Sequence, residues 1–510
     1  MGRYFLIFLL IGLSGKCFGQ GWPRIINLNS NSTTCIVAES YDKGLFFGVN
    51  GNNIMLSKTD VNGNILWQKT IGKDLIYPYL NGITSTSDGG VALTGVLATN
   101  STDTSNDVFL LKLNACGQME WSKIYKLNQN SVGGSIKQLK NGDFVVSALV
   151  SISNDTLGNY YNSWVFRTNT TGAIKWQKFD NLYFQNMIID QSNNILTTGF
   201  VYYPYPGFGG IRAAVNKTDS TGKKLWNSIY NSNSDILSQA NTTVVTNDKN
   251  NLTFGAIRNL YGPIDALYLI KYDFDGNALW GKFIGDTLLE EDPIDMISMT
   301  DNTCLIAYYT GKIGHNDGQS IEFEIIDQSG NILKQKLFPS PGYNLQFSNF
   351  IKTSDGKFIL PGVEIIPPAN DSVFVIKINS NLEPDSFYRS MNHYDYLCNQ
   401  TIPKTGRIIL SRDSENISIT FPPLPPIPGP GTYNVYPNPT TGFITITCDP
   451  NIKIMSTKVY DLTGRIVKTI KTTPDKSGNA GINLQPLAPG CYILQSIIAG
   501  NKCEEKLIVE

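Results

Sequence analysis

A short sequence phrase returns along most of this chain at nearly constant intervals. Each copy is an apolar stretch, an Asp/Asn-x-x-Gly turn and a second apolar stretch that often carries Trp. The turn residues lie 50 to 55 positions apart, at Gly63, Gly117, Gly172, Gly222, Gly276, Gly330 and Asn381. Repetition at such a period indicates an array of equivalent supersecondary units, not one irregular core.

The residues around each turn predict the form of the unit. Both flanks alternate apolar and polar side chains, as half-buried antiparallel strands do. Asp or Asn at the start of the turn and Gly at its end are typical of type I turns. Asp-Gly or Asn-Gly turns precede several copies, at 87–90, 140–143 and 354–357, and predict a further hairpin. Each repeat is therefore predicted to form four antiparallel strands, A to D.

A ring of such sheets is the expected architecture. One four-stranded sheet cannot bury both faces, whereas blades packed around an axis can, so we predict an all-β chain containing a β-propeller. The Trp on strand D is expected between adjacent blades. Residues 58–67 illustrate a Lys-x-Asp-x-x-Gly-x-x-x-Trp phrase, and the region from about 30 to 390 resembles bacterial β-propeller repeats that carry it. This resemblance implies a fold and no particular activity.

The chain ends suggest how the ring closes. Seven repeats are visible from Thr34 onward, and residues 22–28 resemble an isolated strand D. Three further strand-like runs follow the seventh repeat, at 398–402, 407–411 and 416–420. Together these pieces predict a composite eighth blade that removes an open edge. The alternative is seven blades with the same pieces as flanking strands.

The first 19 residues have the features of a secretory signal peptide. Arg3 provides the positive region, residues 4–13 are apolar, and Cys17 and Gly19 stand at −3 and −1 of a cleavage site before Gln20. A lipoprotein signal with lipidated Cys17 is the alternative, disfavoured by the adjacent lysine. No other apolar run reaches the length of about 18 residues that a transmembrane helix requires. The formal net charge of −1 argues against a nucleic-acid partner.

A proline-rich stretch at 421–431 predicts an extended linker between a propeller at 20–420 and a second domain at 432–510. Beyond it, short strand-like runs separated by Gly-containing turns predict a small β-sandwich.

The second domain resembles the C-terminal sorting domain (type A-like) of type IX secretion cargo from the Bacteroidetes. Four motifs occur in order, at 435–442, 459–465, 484–492 and 506–510. The matching residues include Tyr436, Pro437, Asn438, Pro439, Gly442, Asp461, Gly464, Arg465, Gly490, Tyr492 and Lys506. The resemblance implies export through the periplasm, an outer-membrane translocon and its sortase as partners, and a secreted or surface-anchored product. An accessory sandwich, such as a carbohydrate-binding module, is the alternative.

Seven cysteines remain after the predicted signal peptide, and an odd number cannot all pair within one chain. Because they are scattered, Cys35, Cys116, Cys304 and Cys398 are expected to be buried small hydrophobes and not zinc ligands. The other three lie in the second domain, where an oxidising compartment would allow two of them to form a disulfide.

Candidate ligand-binding residues fall in the loops between strands B and C, which are longer than the turns on the opposite face. They are the aromatic residues Tyr160, Tyr161, Tyr202, Tyr203, Tyr205, Phe208 and Tyr261. Aromatic rings among Asn and Ser suit sugar stacking or protein contact; the alternative is that they pack on their own loops. Residues 290–292 are consecutive carboxylates, expected in a solvated loop, and 273–277 is expected to be a plain turn without calcium.

These observations favour a non-catalytic binding or adhesion protein at the cell surface, with a glycan or surface protein as ligand and with no cofactor or metal. The chain has two histidines and no nucleophile elbow, zinc motif or phosphate loop. A polysaccharide hydrolase or lyase is the first alternative, and it requires a carboxylate pair about 5 to 10 Å apart at the central channel. A structural surface-layer component is the second.

Overall fold

The computed structural model describes most of the chain outside the two termini and the loops. The described residues are 22–26, 34–72, 76–98, 106–127, 129–154, 158–203, 210–230, 236–259, 265–285, 289–312, 320–339, 345–364, 372–389, 393–410, 414–417, 434–436, 438, 440–447, 454–461, 465–470, 479–498 and 501–509. Predictions for residues 1–19 and 421–431 lie outside them. The chain divides into two compact units, Met1–Phe421 and Pro422–Glu510.

In the described residues of the first unit, seven antiparallel four-stranded sheets follow one another, and we number them blades 1 to 7. Strands A to D of blades 1 to 3 are β2 (Thr34–Glu39), β3 (Leu45–Asn50), β4 (Ile54–Thr59), β5 (Ile65–Ile71); β6 (Ile76–Ser85), β7 (Val91–Ala98), β8 (Asn106–Leu113), β9 (Met119–Lys126); β10 (Ser131–Gln138), β11 (Phe144–Asn154), β12 (Gly158–Thr168), β13 (Ile174–Asp180).

Blades 4 to 6 repeat this pattern, whereas blade 7 draws on both ends of the unit. Strands of blades 4 to 6 are β14 (Tyr183–Ile189), β15 (Ile195–Tyr203), β16 (Gly210–Thr218), β17 (Lys224–Ile229); β18 (Ile236–Val245), β19 (Asn251–Asn259), β20 (Asp265–Tyr272), β21 (Ala278–Ile284); β22 (Leu289–Ser298), β23 (Cys304–Lys312), β24 (Ser320–Ile326), β25 (Ile332–Phe338). Blade 7 has β26 (Leu345–Phe347) and β27 (Ile351–Lys352) as strand A, then β28 (Phe358–Glu364), β29 (Ser372–Ile378) and, as strand D, β1 (Arg24–Ile26).

The blades form a closed ring, which confirms the predicted propeller. Six apolar clusters each join two neighbouring blades, from blades 1 and 2 through to blades 6 and 7, and a seventh joins blade 7 to blade 1. The closing cluster places Val37 and Phe47 of blade 1 against Ile359 and Val375 of blade 7. Each sheet buries both faces only because its neighbours cover them.

The composite eighth blade is not formed by the described residues. Arg24–Ile26 pairs with β29 and completes blade 7 instead. Two further strands, β30 (Thr405–Ile408) and β31 (Ser414–Asn416), add in parallel to the outer strands β5 and β9 of blades 1 and 2. The prediction was wrong because the sequence of a short strand does not show which strand it pairs with. The free backbone groups on the outer edge of an existing blade can bind such a strand as well as a new sheet would.

Each strand-D tryptophan rests on the C–D turn of the following blade. A Cβ placed on Gly117 would lie 3.0 Å from the Trp67 ring, and one on Gly63 would lie 3.1 Å from the Trp22 ring. The same contact pairs Trp121 with Gly172, Trp176 with Gly222, Trp226 with Gly276, and Trp280 with Gly330. The predicted Trp packing between blades is therefore confirmed, and glycine is needed in these turns both for its positive φ and for room.

The lysine of the repeated phrase has a structural role that the sequence did not suggest. On strand C of blade 1, Lys58 donates to Asp42 of the A–B turn at 2.6 Å, with both side chains fully buried. Equivalent pairs join Lys112 to Asp88, Arg167 to Asp143, Lys217 to Asp190 and Lys271 to Asp248. In blade 6 the position is Ile325. A buried cation bonded to a turn carboxylate fixes the two hairpins of one blade against each other.

A disulfide joins Cys116, in the C–D turn of blade 2, to Cys398, which follows blade 7. The expectation that both are buried small hydrophobes was wrong, because the segment after blade 7 passes over the turns of blade 1 and brings Cys398 to Cys116 in blade 2. Its Asp395 also accepts a hydrogen bond from Lys58. Cys35 and Cys304 are free and buried, as expected.

The second unit contains two sheets, as a small β-sandwich should. One sheet is β32 (Asn434–Tyr436), β33 (Phe443–Thr447) and β36 (Asn479–Asn483); the other is β35 (Ile466–Ile470), β34 (Ile454–Asp461), β37 (Gly490–Ile498) and β38 (Asn501–Val509). Ile446, Ile482 and Leu494 are fully buried in the shared core. The free Cys491 is half-buried, and the side chains of Cys448 and Cys503 lie outside the described residues.

Candidate functional site

The innermost strands of the propeller carry a bulge at one recurrent position. The bulged residues of blades 2 to 6 are Asn81, Gly134, Gln185, Asn241 and Ile294. A bulge re-aims its side chain and ends regular pairing. The Asn81 amide donates to Gly133 O of the next blade at 2.8 Å, and the Asn241 amide donates to Pro293 O at 3.3 Å.

Blade 7 makes the same kind of link where the ring closes. Asn349 lies between β26 and β27, its amide donates to Val37 O at 2.8 Å, and its Oδ1 accepts from Val37 N at 2.9 Å. Inner strands of neighbouring blades are thus joined by side-chain amides at the level of the bulges. Three seams of the wall around the axis, between blades 2 and 3, blades 5 and 6, and blades 7 and 1, are linked in this way.

Inside this wall is a cavity of about 750 Å³, lined by residues from the innermost strands of all seven blades. This volume lies within the range of small-ligand pockets. Its polar lining side chains include Thr34, Asn81, Ser135, Lys137, Gln185, Asn186, Asn241, Thr242, Asp295, Ser298 and Asn349. Among the described lining residues there is a single carboxylate, Asp295, and a single lysine, Lys137.

Asp295 stands one residue after the bulge of blade 6. Its carboxylate accepts hydrogen bonds from Met296 N at 2.8 Å and Phe350 N at 3.2 Å, and from the Thr242 hydroxyl. Burial raises the pKa of Asp295, while these hydrogen bonds and the charge of Lys137 act in the opposite direction. The carboxylate is thus held in place by backbone and hydroxyl donors.

Lys137 stands on the inner strand of blade 3. Burial lowers the pKa of its ammonium, and Asp295 partly opposes that effect. Sequence reasoning missed both residues because each sits in an ordinary strand. A signal for them is present in the sequence. When the repeats are aligned on the bulge, most positions equivalent to Lys137 and Asp295 carry small, neutral or apolar residues, so the two charges stand out.

At the face where the B–C and D–A loops meet, which we call the loop face, three aromatic rings are in contact. Tyr161 is 46% exposed and contacts Tyr183 edge-on with 5.5 Å between ring centroids. Tyr183 stacks on Phe200 at 4.6 Å and also lines the cavity. Burial raises the pKa of Tyr183, so its hydroxyl stays protonated at neutral pH. We call this group the aromatic rim.

For the other predicted aromatic residues the structure describes the backbone alone or nothing. Tyr160 lies beside Tyr161 in β12 and pairs with Ile152, whereas Tyr202 and Tyr203 end β15. Nothing is described of these three side chains, and Tyr205, Phe208 and Tyr261 lie outside the described residues. Sequence reasoning missed Tyr183 and Phe200 because neither is in a B–C loop.

The predicted solvated loop at 290–292 is instead the beginning of the inner strand of blade 6, so that expectation was wrong. Glu291 is 3% exposed because it faces blade 5. On the same face of the sheet the Tyr308 hydroxyl donates to Glu324 at 3.0 Å. Burial raises the pKa of Glu324. These carboxyl groups lie between blades and outside the channel lining.

The turn at 273–277 is a plain turn, as expected. Asp273 accepts hydrogen bonds from the backbone of Asp275 and Asn277 at 2.9 and 2.8 Å. Within the described ranges, no three His, Cys, Asp or Glu side chains are grouped so that they could hold a metal ion. No helix there has the length and apolarity to cross a membrane.

The first and third sorting-type motifs of the second unit contact its last strand, which carries the fourth. The Asn438 amide donates to Lys506 O at 2.6 Å and accepts from Ile508 N at 2.9 Å, so the first motif holds the last one. In the second motif Arg465 donates to Asp461 at 3.0 Å. In the third the Tyr492 hydroxyl donates to Ala488 O at 2.8 Å. Pro437, Pro439 and Gly464 lie outside the described residues.

Comparison with known families identifies the second unit. Residues 434–510 match the family described as the secretion system C-terminal sorting domain. The chain therefore carries a type IX sorting domain at its C-terminus, and it is exported to the cell surface or secreted. No curated protein sequence matches the chain significantly.

Solved structures similar to the chain share little sequence with it. A Bacteroides caccae protein of unknown function is 10% identical, covers 49% of this chain and 81% of its own, and has a TM-score of 0.32. An endo-arabinase from Bacteroides thetaiotaomicron is 10% identical, covers 48% and 93%, and has a TM-score of 0.30. A Synechocystis apocarotenoid oxygenase mutant is 10% identical, covers 62% and 76%, and has a TM-score of 0.38.

Proposed function

We propose that this exported propeller is a non-catalytic binding protein that takes a saccharide at the loop-face mouth of its channel. The observation that carries the proposal is the aromatic rim: an exposed Tyr161 ring held edge-on by Tyr183 beside a polar cavity. Tyrosine rings offer an apolar face to a sugar ring, and the surrounding amides and hydroxyls suit its hydroxyl groups.

The channel chemistry supports binding over hydrolysis. Hydrolysis of a glycosidic bond normally uses two carboxyl groups on either side of the bond. The described lining holds Asp295 as its only carboxylate, and this group already accepts hydrogen bonds from Met296 N and Phe350 N. The carboxylates Glu291 and Glu324 are buried between blades, where no polysaccharide reaches.

Export gives the setting for this activity. In the proposed scheme the outer-membrane translocon and its sortase act on the second unit, through the motif residues that Asn438 holds together at the last strand. The propeller is then presented outside the cell, where polysaccharides and glycoproteins are the abundant ligands.

The test is a glycan array probed with the purified protein and with two tyrosine variants. Tyr161→Ala is expected to lose at least tenfold in affinity for any glycan that the protein binds. Tyr396→Ala is the matched control, because Tyr396 is also exposed, also contacts another tyrosine edge-on at 5.0 Å, and belongs to the segment that crosses the opposite face. It is expected to bind as the parent does.

Other results would overturn the proposal. Release of shorter saccharides from the bound glycans would identify an enzyme. Binding that Tyr161→Ala leaves unchanged would place the site elsewhere. A protein that binds no glycan but assembles into sheets on the cell would be a structural surface component.

A further inference from the structure

One lysine in the channel differs from the lysines of the repeated phrase. Lys58, Lys112, Lys217 and Lys271 each donate to a carboxylate within 3.3 Å. Lys137 lines the cavity, and no acceptor is recorded for its ammonium within the described part of the chain. A half-buried ammonium without an acceptor is costly, and a bound anion would relieve that cost.

Asp295 does not take the place of that acceptor. Its charge acts on Lys137 across the cavity, but the pair forms no ion pair within 4 Å in the described structure, and Met296 N, Phe350 N and Thr242 already satisfy the carboxylate. The channel therefore has a fixed negative group on one wall and an open positive group on another.

Neutral polar groups lie between these charges. The Asn186 amide donates to Thr242 Oγ1 at 3.0 Å. The side chains of Asn81, Ser135 and Gln185 also line the cavity, and amide and hydroxyl groups of this kind can hydrogen-bond the hydroxyl groups of a ligand. A ligand that fits must combine one negative charge with several hydroxyl groups.

We infer that the channel selects saccharides that carry a carboxylate, with the acid group on Lys137 and the hydroxyl groups on the asparagine and threonine lining. This inference rests on the proposed function and names the class of its ligand. The cavity of about 750 Å³ holds one or two sugar rings. Asp295 disfavours a second negative charge, so a monoanionic uronic acid fits better than a phosphate monoester, which is largely dianionic at neutral pH.

The experiment compares galacturonic acid with galactose, which differ only in oxidation at C6, by isothermal titration calorimetry. The parent protein is expected to bind galacturonic acid at least tenfold more tightly. Lys137→Gln is expected to abolish this preference. Asp295→Asn is expected to strengthen galacturonic acid binding severalfold, because it removes the repelling charge and keeps the side-chain shape. Lys334→Gln, on the exposed outer strand of blade 6, is the charge-matched control and should change nothing.

Opposite effects of the two channel substitutions would not arise from a structural role alone. Thermal unfolding checks that each variant folds. If Lys137→Gln does not fold, Lys137→Arg must retain the preference for galacturonic acid over galactose. The parent protein must then also lose this preference as NaCl rises from about 20 to about 500 mM, a range over which salt screens charges increasingly. Equal affinity for the two sugars, or none for either, overturns the inference. Acetate that competes as well as galacturonic acid would overturn the saccharide part. The array result with Tyr161→Ala decides the proposed function separately.

Discussion

The ring of Trp22, from the N-terminal strand, lies on Gly63 in the first C–D turn of the propeller, where an added Cβ would be 3.1 Å away. Trp22 also lies under Lys377 of strand C, with 5.8 Å between the ammonium and the ring. It thus occupies in blade 7 the place that Trp67 occupies in blade 1. The contact that joins successive blades also joins the last blade to the first.

Replacement of Gly117 by alanine is expected to destabilise the protein by about 2 to 4 kcal/mol. Part of the cost is a positive φ of 67°, and the rest is collision with the Trp67 ring. Gly356→Ala is the matched control, because its φ is 76° and nothing lies within 4 Å of the added atom. It should cost only about 1 to 2 kcal/mol. Urea unfolding measures both, and equal losses would deny the tryptophan contact.

Trp22→Ala is expected to weaken closure of the ring by about 3 to 5 kcal/mol, because the side chain is 4% exposed and fills the seam between blades 7 and 1. Hydrogen exchange should rise first in β1 and β29. Trp67→Ala, at a seam within the continuous chain, should instead raise exchange in blades 1 and 2. The same exchange pattern for both variants would contradict a special role at closure.

Reduction of the Cys116–Cys398 disulfide is expected to release the segment that passes from blade 7 over blade 1 to blade 2. A closed loop of 282 residues gives a stabilisation of up to about 5 kcal/mol in the chain-entropy description. Dithiothreitol should lower the melting temperature and raise hydrogen exchange at 393–417. Cys35→Ser removes a buried free thiol and should not change the response to reductant. No response in the parent protein would exclude the disulfide.

The carboxylate of Asp143 is expected to make stability depend on acid pH. Burial raises its pKa, but hydrogen bonds from Lys175 and Arg167 outweigh burial and hold the pKa below its usual value. Its contribution is therefore complete above about pH 4 and disappears as pH falls through the folded-state pKa. Asp143→Asn should lose about 1 to 3 kcal/mol at pH 7 and little at pH 2 by urea unfolding.

Asp301→Asn is the control for that experiment. Asp301 lies in the equivalent A–B turn of blade 6, two residues before the position that matches Asp143, and Ile325 replaces the cation of strand C there. Its loss at pH 7 should be small. A difference in the free energy of unfolding between the parent and Asp143→Asn that does not change with pH would refute the assigned charge interaction.

Much of the propeller was predictable because its signals are local. The turns at Gly63 and Gly117 are encoded within five residues, and their spacing gives the blades. The sequence predicted Arg24–Ile26 as a strand D but did not show that its partner strand lies in blade 7. The seventh turn places Leu382 at positive φ, one residue after the predicted Asn381, because the repeat there lacks glycine.

What sequence could not supply depends on contacts between distant residues. Cys116 and Cys398 meet only because the segment after blade 7 passes over blade 1 to blade 2. Lys137 and Asp295 share the channel because blades 3 and 6 both face its axis. Tyr161 was predicted as a ligand residue, but Tyr183, which holds it, belongs to the next repeat.

Pairing of Arg24–Ile26 with Val373–Val375 sets the order of events during synthesis. These strands are roughly 350 residues apart in the chain, a separation that makes folding slow. The first blade can form early, yet the strand that pairs with Arg24–Ile26 is missing until the last repeat has been synthesised. Until then the N-terminal strand is unpaired, and its free backbone groups can pair with other chains. We therefore expect the protein to be most prone to aggregation at this stage.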